Sequence, residues 1–267
     1  MTKENYKSIA NKLKFEGRAY INGKYIDAID GKKFESINPA TGEILCSVAK
    51  CNHKDVDQAV KVARKAFESG VWSKTAPEFR KEILLKFAGL LRKYGTENSV
   101  LECVDTGKLI NDCLNEVAND TPMHFQWYAE LIDKTFGKVS ATDPSITSLI
   151  VKEPIGVVAG VVPWNFPLMM AVWKTAPALA TGCSVIIKPA EDTPLSALRI
   201  AQIAKEAGIP DGVFNVVPGF GDVGEALGKH NDVNAVSFTG STEVGGLFMK
   251  YSGESNLKTI GLEMGGK

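Results

Sequence analysis

The stretch GVVAGVV (Gly156–Val162) is a continuous apolar run, as expected for a strand that is buried on both faces of a sheet. Further strand-like runs follow it, at 184–187, 213–217, 235–238 and 258–262. Helical patterns separate the strands, at 168–180, 194–207, 223–229 and 242–251. This alternation predicts an α/β fold with a doubly wound, Rossmann-like parallel sheet. We expect Thr193 to cap the second of these helices with Pro194 at its first position, and the last strand to form an edge of the sheet.

The first half of the chain has a different pattern. Apolar residues recur at helical spacing, which predicts helices at 56–67, 79–94, 98–104 and 112–136. Other segments have strand or turn composition: a hairpin at 20–25, a turn at 37–42 and a β-rich arm at 147–151. We therefore predict three parts, a helical part at 1–136, a β arm at 137–154 and an α/β core at 155–267.

Composition limits the classes of function. Lys plus Arg equals Asp plus Glu, at 31 residues each, so no basic field indicates a nucleic acid or an anionic membrane as partner. No apolar run approaches the roughly 20 residues of a membrane span, and the N-terminus lacks the apolar stretch of a secretory signal. The five cysteines are odd in number and have neither CxxC nor zinc spacing, which predicts reduced thiols, a cytoplasmic protein and no metal site.

Two glycine-rich segments are candidate phosphate-binding loops. Gly240–Gly245 (GSTEVG) follows a predicted strand and opens a helix, where backbone N–H groups and the helix dipole can hold a pyrophosphate. An ordinary Ser or Thr N-cap is the alternative. Gly219–Gly224 (GFGDVG) matches the GxGxxG pattern, but no acidic residue ends a strand about 20 residues later, so the match is weak.

Polar side chains follow the first two strands of the core. Lys188 and Glu191 come after the second strand, where a carboxylate can accept hydrogen bonds from ribose hydroxyls and an ammonium can donate to them; a surface ion pair is the alternative. Asn165 lies in the frame PWNFP (Pro163–Pro167), and two prolines stiffen that loop. Its amide is a suitable donor to a developing oxyanion, although Asn is otherwise most often a turn residue.

Glu263 lies beside a Gly-Gly turn in LEMGGK (Leu262–Lys267), at the end of an apolar stretch. At a buried strand end its carboxylate is expected to be desolvated. Desolvation raises a carboxyl pKa toward the range in which it can act as a general base on water. The alternative is a chance charge in a helix or loop.

Taken together and in this order, PWNFP, KPAE (Lys188–Glu191), FTGSTE (Phe238–Glu243) and LEMGGK resemble the NAD(P)-dependent aldehyde dehydrogenase family. The resemblance extends from Tyr20 to Lys267. DTGK (Asp105–Lys108) and WYAE (Trp127–Glu130) look most like the bacterial aminoaldehyde-oxidising members, such as γ-glutamyl-γ-aminobutyraldehyde dehydrogenases. The family resemblance implies an aldehyde as substrate and a homo-oligomer in which 137–154 is an arm for subunit contact. It also implies that 1–136 and 155–267 form a cofactor-binding domain.

The resemblance also implies roles for individual residues. Asn165 would be the oxyanion donor, Glu263 the general base and Lys174 part of a proton relay, with a solvated helix lysine as the alternative for Lys174. The residues expected to bind the cofactor are Val162, Pro163, Trp164, Asn165, Lys188, Pro189, Ala190, Glu191, Gly221, Asp222, Gly240, Ser241, Glu263, Met264 and Gly265. Glu191 would repel a 2′-phosphate, so NAD is expected as cofactor, with NADP possible.

A nucleophilic cysteine is also implied, after the LEMGGK position, and we expect it and the C-terminal catalytic domain to be absent from this chain. Cys183 is predicted to be a small core residue at the far end of a strand. The other four cysteines have no basic neighbours that would depress a thiol pKa. Two hypotheses therefore stand: the cofactor-binding part of an aldehyde dehydrogenase, inactive alone, or a non-catalytic NAD-binding or subunit-interaction fragment.

Overall fold

The computed structural model describes residues 2–266, so Met1 and Lys267, the last residue of LEMGGK, lie outside the described residues. The first half contains α1 (Lys3–Ala10), β1 (Ala19–Ile21), β2 (Lys24–Ile26), β3 (Lys33–Ile37), β4 (Ile44–Ala49), α2 (His53–Ser69), α3 (Pro77–Lys93), α4 (Gly95–Thr106), α5 (Ile110–Cys113), a π-helical segment (Leu114–Asp120), α6 (Thr121–Leu131), a short 3-10 helix (Ile132–Lys134), β5 (Lys138–Ser140) and β6 (Ser148–Ile150). The second half contains β7 (Val157–Val161), α7 (Pro167–Ala180), β8 (Ser184–Lys188), α8 (Leu195–Ala207), β9 (Phe214–Val216), α9 (Gly221–Lys229), β10 (Ala235–Gly240), α10 (Thr242–Gly253) and β11 (Thr259–Met264).

The central sheet has the strand order β11-β10-β7-β8-β9-β1-β2. Its five strands from the second half are parallel, which confirms the predicted α/β fold, and β11 lies at the predicted edge. The hairpin β1–β2 extends the other edge, because β1 pairs antiparallel with β9. The side-chain oxygen of the buried Asn215 stabilises the contact between the hairpin and β9 by accepting a hydrogen bond from the backbone N–H of Asn22 at 3.0 Å.

The core has two layers because side chains alternate across each strand. On β8, Val185 and Ile187 pack on the cluster that includes α3, α4, α6, α7 and α8, whereas Ile186 packs on the cluster with α2, α9 and α10. All three side chains are fully buried, which explains why the core strands are apolar runs without alternation. Within residues 2–266, no helix combines the length and the apolar character needed to cross a bilayer.

Two local predictions differ from the structure. The helix predicted at 112–136 forms as a helical stretch over 110–134, but it contains a π-helical segment and ends in a 3-10 turn. Thr193 does not cap α8: its hydroxyl instead donates to the carbonyl oxygen of Trp164 at 3.3 Å. Pro194 occupies the N-cap position and not the first helical position, so α8 begins one residue later than predicted.

A buried carboxylate from another helix replaces the missing cap. Asp105 of α4 accepts a hydrogen bond from the backbone N–H of Leu195, the first residue of α8, at 3.0 Å, and another from the Ser36 hydroxyl at 3.1 Å. Glu102, one turn earlier on α4, accepts from the backbone N–H of Leu168 in α7 at 3.1 Å. Burial raises the pKa of each carboxyl to about 7. One face of α4 therefore supplies acceptors to the N-termini of two helices.

Replacing Asp105 tests the remote cap. Asp105→Ala leaves the Leu195 N–H unpaired in the interior and should lower the free energy of unfolding by about 1–3 kcal/mol. Asp105→Asn keeps one acceptor and should cost less. Since the native pKa is above that of the unfolded chain, the wild type should lose stability as pH rises from about 4 to about 7, and both variants should lose less.

Urea unfolding at pH 4.5 and pH 7 measures both effects, with the exposed Asp232→Asn as control. Equal pH dependence in the wild type and in Asp105→Asn would contradict the assignment.

Candidate functional site

A cleft of about 670 Å³ opens at the carboxyl ends of the parallel strands. The segments that follow β7, β8 and β10 and the end of β11 form its walls, together with α9 and α10. In doubly wound sheets this edge is where ligands bind, because the loops after the strands and the helix N-termini meet there. The cleft is therefore the candidate site.

The loop after β7 forms one wall. Val162, Pro163, Trp164 and Asn165 all line the cleft, and Trp164 is 61% exposed. The next proline, Pro167, is the first residue of α7, so its fixed φ begins the helix directly after the loop. The loop thus presents an aromatic ring and an exposed amide to the cleft.

An ion pair forms the opposite wall, after β8. Nζ of Lys188 lies 2.9 Å from Oε2 of Glu191, and Ala190 also lines the cleft. The ion pair of the alternative therefore forms, but Lys188 is only 5% exposed and Glu191 is half-buried, so the ammonium lies inside the protein and not at its surface. A buried ammonium that holds a carboxylate at the cleft surface fixes the direction of both polar groups.

The turn from β10 to α10 places a helix N-terminus at the cleft. Gly240 ends the strand, and the Ser241 hydroxyl accepts a hydrogen bond from the backbone N–H of Val244 at 3.2 Å. The alternative of an ordinary N-cap is therefore correct for Ser241, but both residues also line the cleft. A Cβ at Gly245 would lie 2.3 Å from the Met264 sulfur, so the glycine lets α10 approach β11.

Glu263 lies at the end of the edge strand β11 and lines the cleft with Met264 and Gly265. The expectation that this carboxylate is buried is wrong, because its side chain is exposed. The reason is its position in the sheet: among the described residues, β11 has a neighbouring strand on one side only. The side chains of an apolar strand are buried only when other strands or helices pack on both of its sides.

Lys174 lies behind the cleft on α7 and is only 8% exposed. Its Nζ donates a hydrogen bond to the Thr239 hydroxyl at 2.6 Å, and burial lowers its pKa to about 8, opposed by the negative charge of Glu263. Its stem crosses β7 at Gly160, where a Cβ would lie 3.3 Å from two of the Lys174 carbons. The alternative of a solvated helix lysine is therefore wrong.

Some predicted residues lie outside the cleft lining, and some lining residues were not predicted. Pro189 is buried behind the loop, and Asp222 is exposed but is not part of the lining, although its neighbour Gly221 is. The unpredicted lining residues are Val161, Gly224, Glu225, Phe238, Thr239, Val244, Leu247, Phe248 and Tyr251. Most of these are apolar residues of helices and strands, which the sequence pattern assigns to the core.

Among residues 2–266, no cysteine lines the cleft, and no group of three or more His, Cys, Asp or Glu side chains is arranged to hold a metal ion. Cys183 is a buried core residue, as predicted. The Cys103 thiol donates to the carbonyl oxygen of Lys108 at 3.1 Å, and its pairing with the Cys113 thiol lowers the pKa of Cys103, although burial opposes the shift. A neighbouring thiol, and not a basic residue, therefore lowers the pKa of Cys103.

Comparisons with known proteins are consistent with this geometry. A sequence model described as the aldehyde dehydrogenase family matches residues 25–267. Aminoacetaldehyde dehydrogenase of Pseudomonas aeruginosa is 51% identical over 268 residues, covering all of this chain and 54% of that protein. A crystal structure of γ-glutamyl-γ-aminobutyraldehyde dehydrogenase from Burkholderia cenocepacia has 48% identity and a TM-score of 0.98 over all of this chain and 54% of its own.

The P. syringae indole-3-acetaldehyde dehydrogenase AldA, solved in complex with NAD+, has 49% identity and a TM-score of 0.98, with the same coverage of the two chains. This chain spans about half the length of the relatives it matches.

Lys174 provides a direct test of the burial behind the cleft. Because burial lowers the pKa of this amine to about 8 in the native state, from about 10.5 in the unfolded chain, the unfolded chain binds more protons between these two values. Stability should therefore rise with pH in this window, by at most about 1.4 kcal/mol per pH unit from this one group. Lys174→Met should lack that contribution.

Urea unfolding at pH 7.5 and 9.5 measures the difference between wild type and variant, and Lys65→Met, at an exposed position of α2, is the control. A wild type and a Lys174→Met variant with the same pH slope would show that the amine is not desolvated.

Proposed function

The chain belongs to the aldehyde dehydrogenase family, and on that premise we propose that it is the NAD-binding part of an enzyme that oxidises an aldehyde to a carboxylate with NAD+ and water. One observation supports this most directly. A single cleft brings together a carboxylate–ammonium pair, a helix N-terminus, an exposed amide and an exposed carboxylate, all from separate strand ends. Those are the groups that a dinucleotide and an acyl-transfer reaction need.

The residues in the cleft fit the dinucleotide. Glu191 and Lys188 would hold ribose hydroxyls, since a carboxylate accepts and an ammonium donates. The N-terminus of α10 at Ser241 would hold a phosphate, and the space beside Gly221, where a Cβ would meet no atom within 4 Å, leaves room for the base. When bound, NAD+ accepts the hydride from the carbon that is oxidised.

We assign the chemical roles as follows. The Asn165 amide would donate a hydrogen bond to the oxygen on which negative charge develops. The exposed Glu263 carboxylate would take a proton from the attacking water, and Lys174, whose charge interacts with Glu263, would take part in proton movement behind it. The thiol that attacks the aldehyde would come from residues outside this sequence, since no described cysteine lines the cleft.

For the substrate we propose an aminoaldehyde. Two of the similar proteins are described as acting on aminoacetaldehyde and on γ-glutamyl-γ-aminobutyraldehyde, and both are about half identical to this chain. The half-buried Glu191 would disfavour a 2′-phosphate, so we propose NAD as the preferred cofactor with NADP as a weaker one.

A second candidate is an NAD-binding module that associates with other chains without chemistry of its own. The arm formed by β5 and β6 favours it, because these strands pair only with each other in the described structure. Val139 and Val151 on the arm are each 75% exposed, and Leu149 is 63% exposed. Exposed apolar side chains on a free hairpin indicate contact with another subunit. Self-association is compatible with either candidate.

Glu191 tests the cofactor assignment on the chain itself. Removing a charged acceptor typically costs about 1.5–3 kcal/mol, so Glu191→Ala should weaken NAD binding roughly 10-fold or more and should narrow the preference for NAD over NADP. Isothermal titration with each nucleotide measures both changes, and Glu68→Gln, at an exposed position of α2, is the matched control. No response of the folded chain to millimolar NAD would contradict the proposal.

Glu263 and Asn165 test the chemistry in the active enzyme that contains this chain. Glu263→Gln should lower steady-state turnover by about 10²–10⁴-fold while leaving the first burst of NADH, because only the attack of water needs the base. Asn165→Ala should lower turnover by about 10²–10³-fold. NAD binding without aldehyde oxidation in the wild-type enzyme would favour the second candidate, and an unchanged Glu263→Gln rate would remove the base assignment.

A further inference from the structure

A charged cluster lies behind the loop that contains Asn165, outside the cleft lining. At its centre is Lys108, in the turn between α4 and α5. Its ammonium contacts a carboxylate oxygen of Glu116, and Nζ lies 3.8 Å from Oε1 of Glu102. The same Nζ lies 4.2 Å from the ring centroid of Phe166. One ammonium therefore meets two carboxylates and one aromatic ring.

Glu102 links this ammonium to α7. Its side chain is fully buried, and Oε2 accepts the backbone N–H of Leu168 at 3.1 Å. Within residues 2–266, Oε1 has no hydrogen-bond partner, and the Lys108 ammonium is the positive charge that faces it. Burial raises the pKa of Glu102 to about 7, and the Lys108 charge opposes that rise, so removal of the ammonium would favour the neutral carboxyl further. An ionised acceptor is the stronger partner for a helix N-terminus, so the ammonium strengthens the contact between Glu102 and α7.

Phe166 links the same ammonium to the loop. It follows Asn165 directly in the chain and precedes the first residue of α7. The Lys108 side chain is mostly buried, and a cation over an aromatic face is attracted more strongly when water is excluded. Glu116 lies on the π-helical segment, and such segments occur frequently at functional sites.

We propose that Lys108 is a positioning residue for Asn165. Its ammonium restrains Phe166 by contact with the aromatic ring, and it restrains Leu168 through the carboxyl of Glu102. Both restrained residues follow Asn165 in the chain, where the loop leads into α7. A hydrogen-bond donor stabilises a developing oxyanion only when its direction is fixed before the charge appears. The inference rests on the proposed role of Asn165. Lys108 itself does not line the cleft and is assigned no contact with substrate or cofactor.

The chain contains a matched control for a purely local role. Lys93, at the end of α3, lies 4.8 Å from the ring centroid of Tyr94 and 3.9 Å from Oε1 of Glu206. It therefore combines an aromatic ring and a carboxylate as Lys108 does, but at an exposed site that is not part of the cleft. Lys93→Met removes the same kinds of contact without touching the Asn165 loop.

Hydrogen–deuterium exchange tests the restraint on the chain itself, without any activity. Lys108→Met should speed exchange in the peptide that covers 163–170, since the carboxyl that accepts the Leu168 N–H loses the ammonium beside it and becomes a weaker acceptor. Phe166→Leu leaves the buried Glu102–Lys108 pair intact and should speed exchange in the same peptide, and Lys93→Met should not. Unchanged exchange in both Lys108→Met and Phe166→Leu would overturn the proposal.

A double-mutant cycle in the active enzyme tests the link to Asn165. Lys108→Met, or Phe166→Leu if the former does not fold, should lower kcat on the order of 10-fold to 100-fold in the wild type with KM for NAD unchanged. The same change should be nearly without effect in the Asn165→Ala background, because the misplaced group is already absent. Lys93→Met should have no effect in either background.

The outcomes separate the two proposals. An equal loss of kcat in both backgrounds would overturn the positioning role while leaving the proposed function intact. An Asn165→Ala enzyme with normal turnover would instead remove the oxyanion assignment, and the positioning role with it.

Discussion

Two carboxylates on one helix hold the edge of the sheet at which the cleft forms. Glu102 and Asp105, one turn apart on α4, accept the free N–H groups at the starts of α7 and α8. Both are buried, so each would be costly without its donor. Since α7 begins directly after the Asn165 loop and α8 directly after the Glu191 loop, the direction of both cleft walls depends on these contacts.

Parallel strand pairing explains how residues about 100 positions apart meet. The register pairs Val161 with Lys188 and Thr239 with Glu263, so the carboxyl ends of neighbouring strands lie at the same level of the sheet. The crossover connections place β10 beside β7, which brings the two pairs onto adjacent strands. The cleft is thus a consequence of strand order and register, and each loop needs only to supply its own polar group.

Periodicity was sufficient to predict the alternating elements of the second half, because buried strands and amphipathic helices differ in their apolar spacing. The motifs after the strands also predicted most polar groups of the cleft. Long-range pairing was not predictable in this way. The cap of α8 comes from Asp105, 90 residues away, and the exposure of Glu263 depends on which strand lies at the edge. Leu247 and Tyr251 line the cleft, yet in sequence they are ordinary apolar helix positions.

The burial of Lys174 has a chemical consequence under the proposed function, in which an aldehyde enters the cleft. A pKa of about 8 leaves a larger fraction of this amine unprotonated near neutral pH than in an ordinary lysine, and a free primary amine condenses with an aldehyde to a Schiff base. The burial that lowers the pKa of Lys174 also keeps its side chain out of the cleft lining, where its ammonium donates a hydrogen bond to the Thr239 hydroxyl. The same packing that makes the amine more nucleophilic therefore keeps it away from any aldehyde that enters the cleft under the proposed function.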